Sequence, residues 1–368
     1  MNTTADLDRF AHTYAQARAR FQWAASQAGA VLHVYTHPSA FGPDGGTLSI
    51  DVAVFGRPDA RRALLILSGT HGGEGYTGSA AQIEFIQTGA LSQLPADVRV
   101  VMVHGINPYG FAHWTRTTEN NVDLNRNFID FSGTPPRNPA YLEVHPLLCP
   151  AQWDEMTLAQ TQAQLDAWIA RHGKEAWTQT IMKGQYEEPT GLNYGGRAPE
   201  WSHLTLQTIC SRHLAGIDRL AFIDWHTGLG ERGQPFFLCF NDYRDTQWEQ
   251  ACRWWGRDRV ETTAGFEGAS RPKYTGLIFH GVQRFVAPAP MAGAVIEFGT
   301  LPVKESFDAV RLDRWLKFGN TPDNATLLAD MRASVREAFT PSELAWRTSV
   351  LAHARTIQQQ ALSGLVSW

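Results

Sequence analysis

The sequence predicts an α/β fold with a mixed, mostly parallel central sheet and helices on both faces. Two observations point there. Five short apolar runs are bounded by turn residues, the pattern of strands buried on both faces. Between them lie stretches with apolar residues at helical spacing, and strands alternating with helices build a sheet covered on both sides.

The runs are 63–69 (Ala-Leu-Leu-Ile-Leu-Ser-Gly), 98–103, 220–223, 236–240 and 294–298. Helical spacing is carried first by Phe10, Tyr14, Ala17 and Phe21. It recurs in Trp153, Leu165, Trp168 and Ile169, in Leu204, Leu206 and Ile209, and in Leu327, Met331 and Val335. At Thr340-Pro-Ser-Glu343 a further helix is expected to start. There Thr340 would cap, Pro341 suits the first turn and Glu343 completes a capping box. No repeat, low-complexity tract or charge block divides the chain. The expectation is one domain over 1–368, with an N-terminal helix at about 5–25, a helical insertion at about 150–190 and C-terminal helices at about 322–365.

Composition narrows the function classes. The 368 residues are 43% hydrophobic and 18% charged, enough chain to bury a large core without staples. A formal net charge of -4 argues against a nucleic-acid or acidic-membrane partner. Cys149, Cys210, Cys239 and Cys252 form no C-x-x-C pair or zinc-ribbon spacing, and read as buried free thiols of a reducing compartment. The first residues lack a basic segment followed by an apolar run, and no apolar stretch reaches the ~20 residues that span a bilayer. The expected location is therefore cytoplasmic, with oligomeric state open.

Chemistry concentrates in four places. His71-Gly-Gly-Glu74 directly follows the run 63–69, and α/β sheets place ligand sites at the carboxyl ends of strands. An imidazole and a carboxylate three apart converge on one cation if the turn is tight, and Gly69, Gly72, Gly73 and Gly75 permit such a turn. Catalytic zinc commonly takes two His and one Glu. His226, in Asp224-Trp-His226-Thr-Gly228, is the candidate third ligand. Asp224 shares its strand face, either as its partner or as a solvated group. The segment Asn121-Val-Asp-Leu-Asn-Arg-Asn-Phe128 follows Trp114 and Arg116. In it Asn125 and Arg126 suit a carboxylate clamp, and Arg116 suits a developing oxyanion. Glu297 stands alone in the apolar run Gly293-Ala-Val-Ile-Glu-Phe-Gly299, a costly place for an unpaired acid. His104, ending the run 98–103, reads as a rim residue.

The order H-x-x-E, Arg116, D-x-N-R, His, then Glu in an apolar strand resembles the zinc carboxypeptidase family over roughly residues 63–300. Val122-Asp-Leu-Asn-Arg-Asn127 is the most specific part of the match. The interval from His226 to Glu297 is close to the family's usual one, and the longer stretch between Glu74 and His226 fits an insertion. The likeness is to a poorly characterised bacterial branch related to succinylglutamate desuccinylase and aspartoacylase enzymes.

The resemblance implies a carboxypeptidase-like, hydrolase-type fold and one Zn2+ per chain held by His71, Glu74 and His226. It implies Glu297 as the base for a metal-activated water and Arg116 at the oxyanion. Asn125 and Arg126 would hold the substrate carboxylate, Asp123 would orient His71, and Tyr274 would close over substrate. The substrate would be a small peptide or an acylated amino acid, cleaved at a C-terminal peptide bond or related amide. Alternatives are an N-acyl-amino-acid amidohydrolase and a non-catalytic metal-binding module. A serine esterase would need a G-x-S-x-G elbow, which the sequence lacks.

Overall fold

The computed structural model describes residues 9–260, 271–319, 322 and 324–368. Seven strands form one mixed sheet: β1 (Val31–Phe41), β2 (Thr47–Gly56), β3 (Arg62–Ser68), β4 (Val98–His104), β5 (Arg219–Arg232), β6 (Pro235–Leu238) and β7 (Met291–Gly299). Their spatial order is β1-β2-β4-β3-β5-β7-β6. The four central strands β4, β3, β5 and β7 run parallel. The pairs β1/β2, β2/β4 and β6/β7 at the two sides are antiparallel.

Alternation along the central strands splits the core into two layers. Leu64 and Ile66 of β3, with Ala221, Ile223 and Trp225 of β5, face one layer. It is closed by the helices Tyr14–Gln27, Gly75–Gln87, Thr246–Trp255 and Leu344–Ser367. Ala63, Leu65 and Leu67, with Leu220 and Phe222, face the other, packed by the helices Trp201–His213 and Ile278–Val286. Burial on both faces explains why the central strands carry continuous apolar runs.

The N-terminal helix begins at Tyr14, capped by the Thr13 side chain. The expected earliest turn, 5–8, lies outside the described residues. The stretch 150–190 carries the helices Glu155–His172 and Lys174–Met182. Towards the C-terminus the helices are Ala325–Phe339 and Leu344–Ser367.

The capping box at Thr340–Glu343 does not form. Helix Leu344–Ser367 takes Glu343 as its N-cap, without a side-chain cap bond. The Thr340 hydroxyl instead donates to the Gly73 carbonyl in the loop after β3 (3.1 Å). The helix starts at Leu344 rather than at Pro341, so Thr340 does not stand at its N-cap. His104 is likewise no rim residue: it is fully buried, stacked on Phe21 with 4.5 Å between ring centroids, and its Nε2 lies 2.9 Å from Ser79 Oγ.

Candidate metal centre

The strand lengths open the site. β3 pairs with β5 only as far as Ser68↔Trp225, so the chain leaves β3 beside the next residue of β5, His226. β5 itself continues, pairing His226 with Glu297 of β7. His226 and Glu297 thus sit inside strands, while His71 and Glu74 occupy the loop that ends in helix Gly75–Gln87.

Glycine shapes that loop by two routes. Gly69 takes a positive φ of 75° and packs against the Gly105 backbone. Gly72 is required for space instead: a Cβ there would come within 1.9 Å of the Gly110 carbonyl carbon. A Cβ on Gly73 would meet nothing nearer than 4.0 Å. Gly72→Ala is therefore expected to destabilise the protein by about 1–3 kcal/mol or more. Gly73→Ala is expected to leave thermal unfolding nearly unchanged, and comparing the two Tm values checks this.

The structure brings His71, Glu74 and His226 together, all buried, with their nearest donor atoms within 4.8 Å of one another. His71 Nδ1 is 2.9 Å from Glu74 Oε1 and 3.2 Å from His226 Nδ1. His226 Nδ1 is 3.3 Å from Glu74 Oε2. Ligands bound tetrahedrally at ~2.0–2.1 Å stand roughly 3.3 Å apart, so three corners of such a tetrahedron exist.

The outward nitrogens are also occupied. His71 Nε2 lies 3.1 Å from Asp123 Oδ1, and His226 Nε2 lies 2.8 Å from Asp224 Oδ2. A carboxylate on Nε2 places the proton there and leaves Nδ1 as a lone pair. Two such lone pairs at 3.2 Å repel unless a proton or a cation lies between them. The residues present therefore fit a metal ion of the zinc type.

Electrostatics agree with a site built to hold positive charge. Burial opposes ionisation of Glu74, yet His71 and His226 hold its carboxyl below the usual carboxylate range. Burial likewise opposes the charge on Asp123, and Arg116 and His71 outweigh it, holding that carboxyl well below its ordinary value. Burial disfavours a charged His226, but Asp224 and Glu74 raise its pKa well above the usual imidazole value. In the metal-free protein this imidazole keeps a proton that a metal would displace. Glu297 behaves oppositely: burial and the Glu74 charge push it up to about 7.

The remaining candidates surround these ligands. Asp123 starts the short turn Leu124–Arg126, its side chain accepting the Asn125 N–H. Arg116 donates to Asp123 Oδ2 (3.1 Å) and Glu74 Oε1 (3.3 Å). Asn125 Oδ1 accepts the Ile278 N–H (2.9 Å). Arg126 donates to the carbonyls of Asn125 and Met182, with its guanidinium 5.1 Å from the Tyr274 ring centroid. His71, Glu74, Arg116, Asn125, Arg126, Tyr274 and Glu297 line one cleft of about 660 Å³. Asp123 and His226 lie beneath its surface.

The sequence left one feature open and missed a second. Asp224 proves fully buried against His226, and the Thr70 hydroxyl donates to it at 2.9 Å. The cleft also has an apolar wall from the helices Glu155–His172 and Lys174–Met182, including Ile169, Trp177 and Ile181. Nothing in a helical apolar pattern distinguishes a residue facing a cleft from one facing a core.

A family model described as "Protein of unknown function (DUF2817)" matches residues 10–353. The chain belongs to the DUF2817 family. No curated protein matches this DUF2817 chain. Among solved structures it is similar to bovine thrombin-activatable fibrinolysis inhibitor, at 12% identity and TM-score 0.42, over 93% of this chain and 97% of that one. It is also similar to a metallo-carboxypeptidase from Burkholderia cenocepacia, at 14% identity and TM-score 0.40, over 91% and 68%. Succinylglutamate desuccinylase from Chromobacterium violaceum is similar at 16% identity and TM-score 0.37, over 88% and 74%. Among the described residues, no helix is long and apolar enough to cross a membrane.

Proposed function

We propose that this DUF2817 protein is a zinc-dependent hydrolase of amide bonds next to a substrate carboxylate, a C-terminal peptide bond or a related acyl-amino-acid amide. The observation that carries the reading is the convergence of His71 Nδ1, His226 Nδ1 and a Glu74 oxygen, each imidazole backed by a buried aspartate. Two His and one Glu with a fourth position left open is a catalytic donor set.

Zinc, when bound, would supply Lewis acidity, lowering the pKa of water from 15.7 toward ~7 and polarising a carbonyl. The protein's own groups do the rest. Glu297 stands on the strand next to His226 and is held with a raised proton affinity, which suits a base that takes a proton from water and returns it to the leaving amine. Arg116, anchored by Asp123, faces the cleft as a fixed cation for a developing oxyanion.

Arg126 and Tyr274 would receive the substrate carboxylate. The Arg126 Nε and the Tyr274 hydroxyl are both buried without a hydrogen-bond partner among the described residues. Buried donors left unpaired are costly, and a bound carboxylate would satisfy them. Asn125 positions this segment by tying it to the start of helix Ile278–Val286.

Elemental analysis of the purified protein is expected to find about one zinc per chain, lost in Glu74→Ala. No metal in either form after zinc is supplied would overturn the reading.

A further inference from the structure

The cleft is larger and more apolar than its chemistry requires. Its volume of about 660 Å³ suits a ligand of drug-like size. Ile169, Trp177 and Ile181 of the insertion line it together with Phe307 and Val310 of helix Val303–Lys317. Trp177 and Phe307 meet edge to face with 6.0 Å between centroids, which joins the two walls. Leu229, whose N–H donates to Glu297, carries this apolar surface down to the catalytic floor.

Charge in the cleft is confined to floor and rim. On the floor Arg116 is engaged by Asp123 and Glu74, and Arg126 by two backbone carbonyls. At the rim Lys304 is paired with Asp308, and Asp166 and Lys174 are exposed. Among the described residues, the apolar wall itself carries no cation for a second carboxylate. A short acidic acyl group would find no partner there, whereas a long hydrocarbon would cover half-buried aromatic and aliphatic surface.

We infer that the substrate is an N-acyl amino acid whose acyl part is a long apolar chain, with the amino-acid carboxylate at Arg126 and the chain between the insertion and helix Val303–Lys317. This inference rests on the hydrolase reading above. One water is consumed. The acyl carbon–nitrogen bond breaks and an acyl carbon–oxygen bond forms. Both water protons end on the amine, so the products are a fatty carboxylate and an ammonium group.

The test compares N-acetyl, N-octanoyl and N-dodecanoyl derivatives of one amino acid, with an apolar dipeptide alongside, on the zinc-loaded full chain. Calorimetric binding of the same compounds to the metal-free protein is measured in parallel. Burial is worth roughly threefold per methylene, so kcat/KM is expected to rise at least ~10-fold from acetyl to dodecanoyl. Binding to the metal-free protein should tighten in the same order. Trp177→Ala is expected to lose more on dodecanoyl than on acetyl.

Equal turnover and equal binding across chain lengths, or a dipeptide preferred to every acyl compound, would overturn the inference and leave the hydrolase reading standing. Chain-length-dependent binding with no hydrolysis of any compound would support the ligand class and overturn the hydrolase reading.

Discussion

Glu297→Gln is expected to lower kcat by about 10²- to 10⁴-fold while zinc content stays at the wild-type level. The amide keeps the size of the side chain and its capacity to accept the Leu229 N–H, but it cannot take a proton. Glu297 contributes no atom to the His71–Glu74–His226 cluster, so the metal should remain. Wild-type activity should rise with pH along a limb set by Glu297, because the base works only when deprotonated. Burial and Glu74 raise its pKa to about 7, and a bound dication would draw it back down, placing the limb on the acid side of neutrality. Single-turnover kinetics with metal analysis on the same samples decides the matter. A variant within threefold of wild type would remove Glu297 from the proton transfer.

Asp224→Asn is expected to weaken zinc binding by about 10- to 100-fold. The carboxylate sits 2.8 Å from His226 Nε2 and is itself fixed by the Thr70 hydroxyl. As an acceptor it holds the proton on Nε2 and leaves Nδ1 free to face the other ligands. An asparagine that turned its amino group toward Nε2 would reverse the tautomer and put a hydrogen where the metal needs a lone pair. Competition against a chelator of known affinity gives the dissociation constant. Unchanged affinity would mean that the pair holds β5 together without tuning the ligand.

The central strands were legible because each is buried on both faces, which leaves a continuous apolar run. β1 and β2 carried no such mark. β1 is mostly exposed or half-exposed, contains Pro38, and has a register irregularity between Thr36 and Phe41. Its neighbour β2 has buried polar residues, Ser49 and Asp51, in the middle of its run: the N-terminal helix meets the Ser49 backbone with the Tyr14 hydroxyl and the Asp51 carboxylate with Arg18. Those partners lie some 35 residues away and cannot be read locally. The loop after β3 stood out for a different reason: His71 and Glu74, a weak pair alone, gain weight from the ordered set that follows, Arg116, Asp123, His226 and Glu297. Asp224 stayed ambiguous because strand alternation assigns a face without saying whether that face is wet. The capping signal at Thr340 failed because the helix starts at Leu344 rather than at Pro341, and the Thr340 side chain meets a distant partner, the Gly73 carbonyl, instead.

The pairing of His226 with Glu297 across β5 and β7 has a further consequence. Neighbouring strands lie ~4.8 Å apart whatever side chains they carry. The spacing between a metal ligand and the candidate base is thus a property of the sheet's lattice. The cleft walls belong instead to helices outside the sheet, Glu155–His172, Lys174–Met182 and Val303–Lys317. Floor and walls therefore rest on separate mechanical parts, and the walls can be redrawn by substitution or by lengthening their helices while His226 and Glu297 keep their distance.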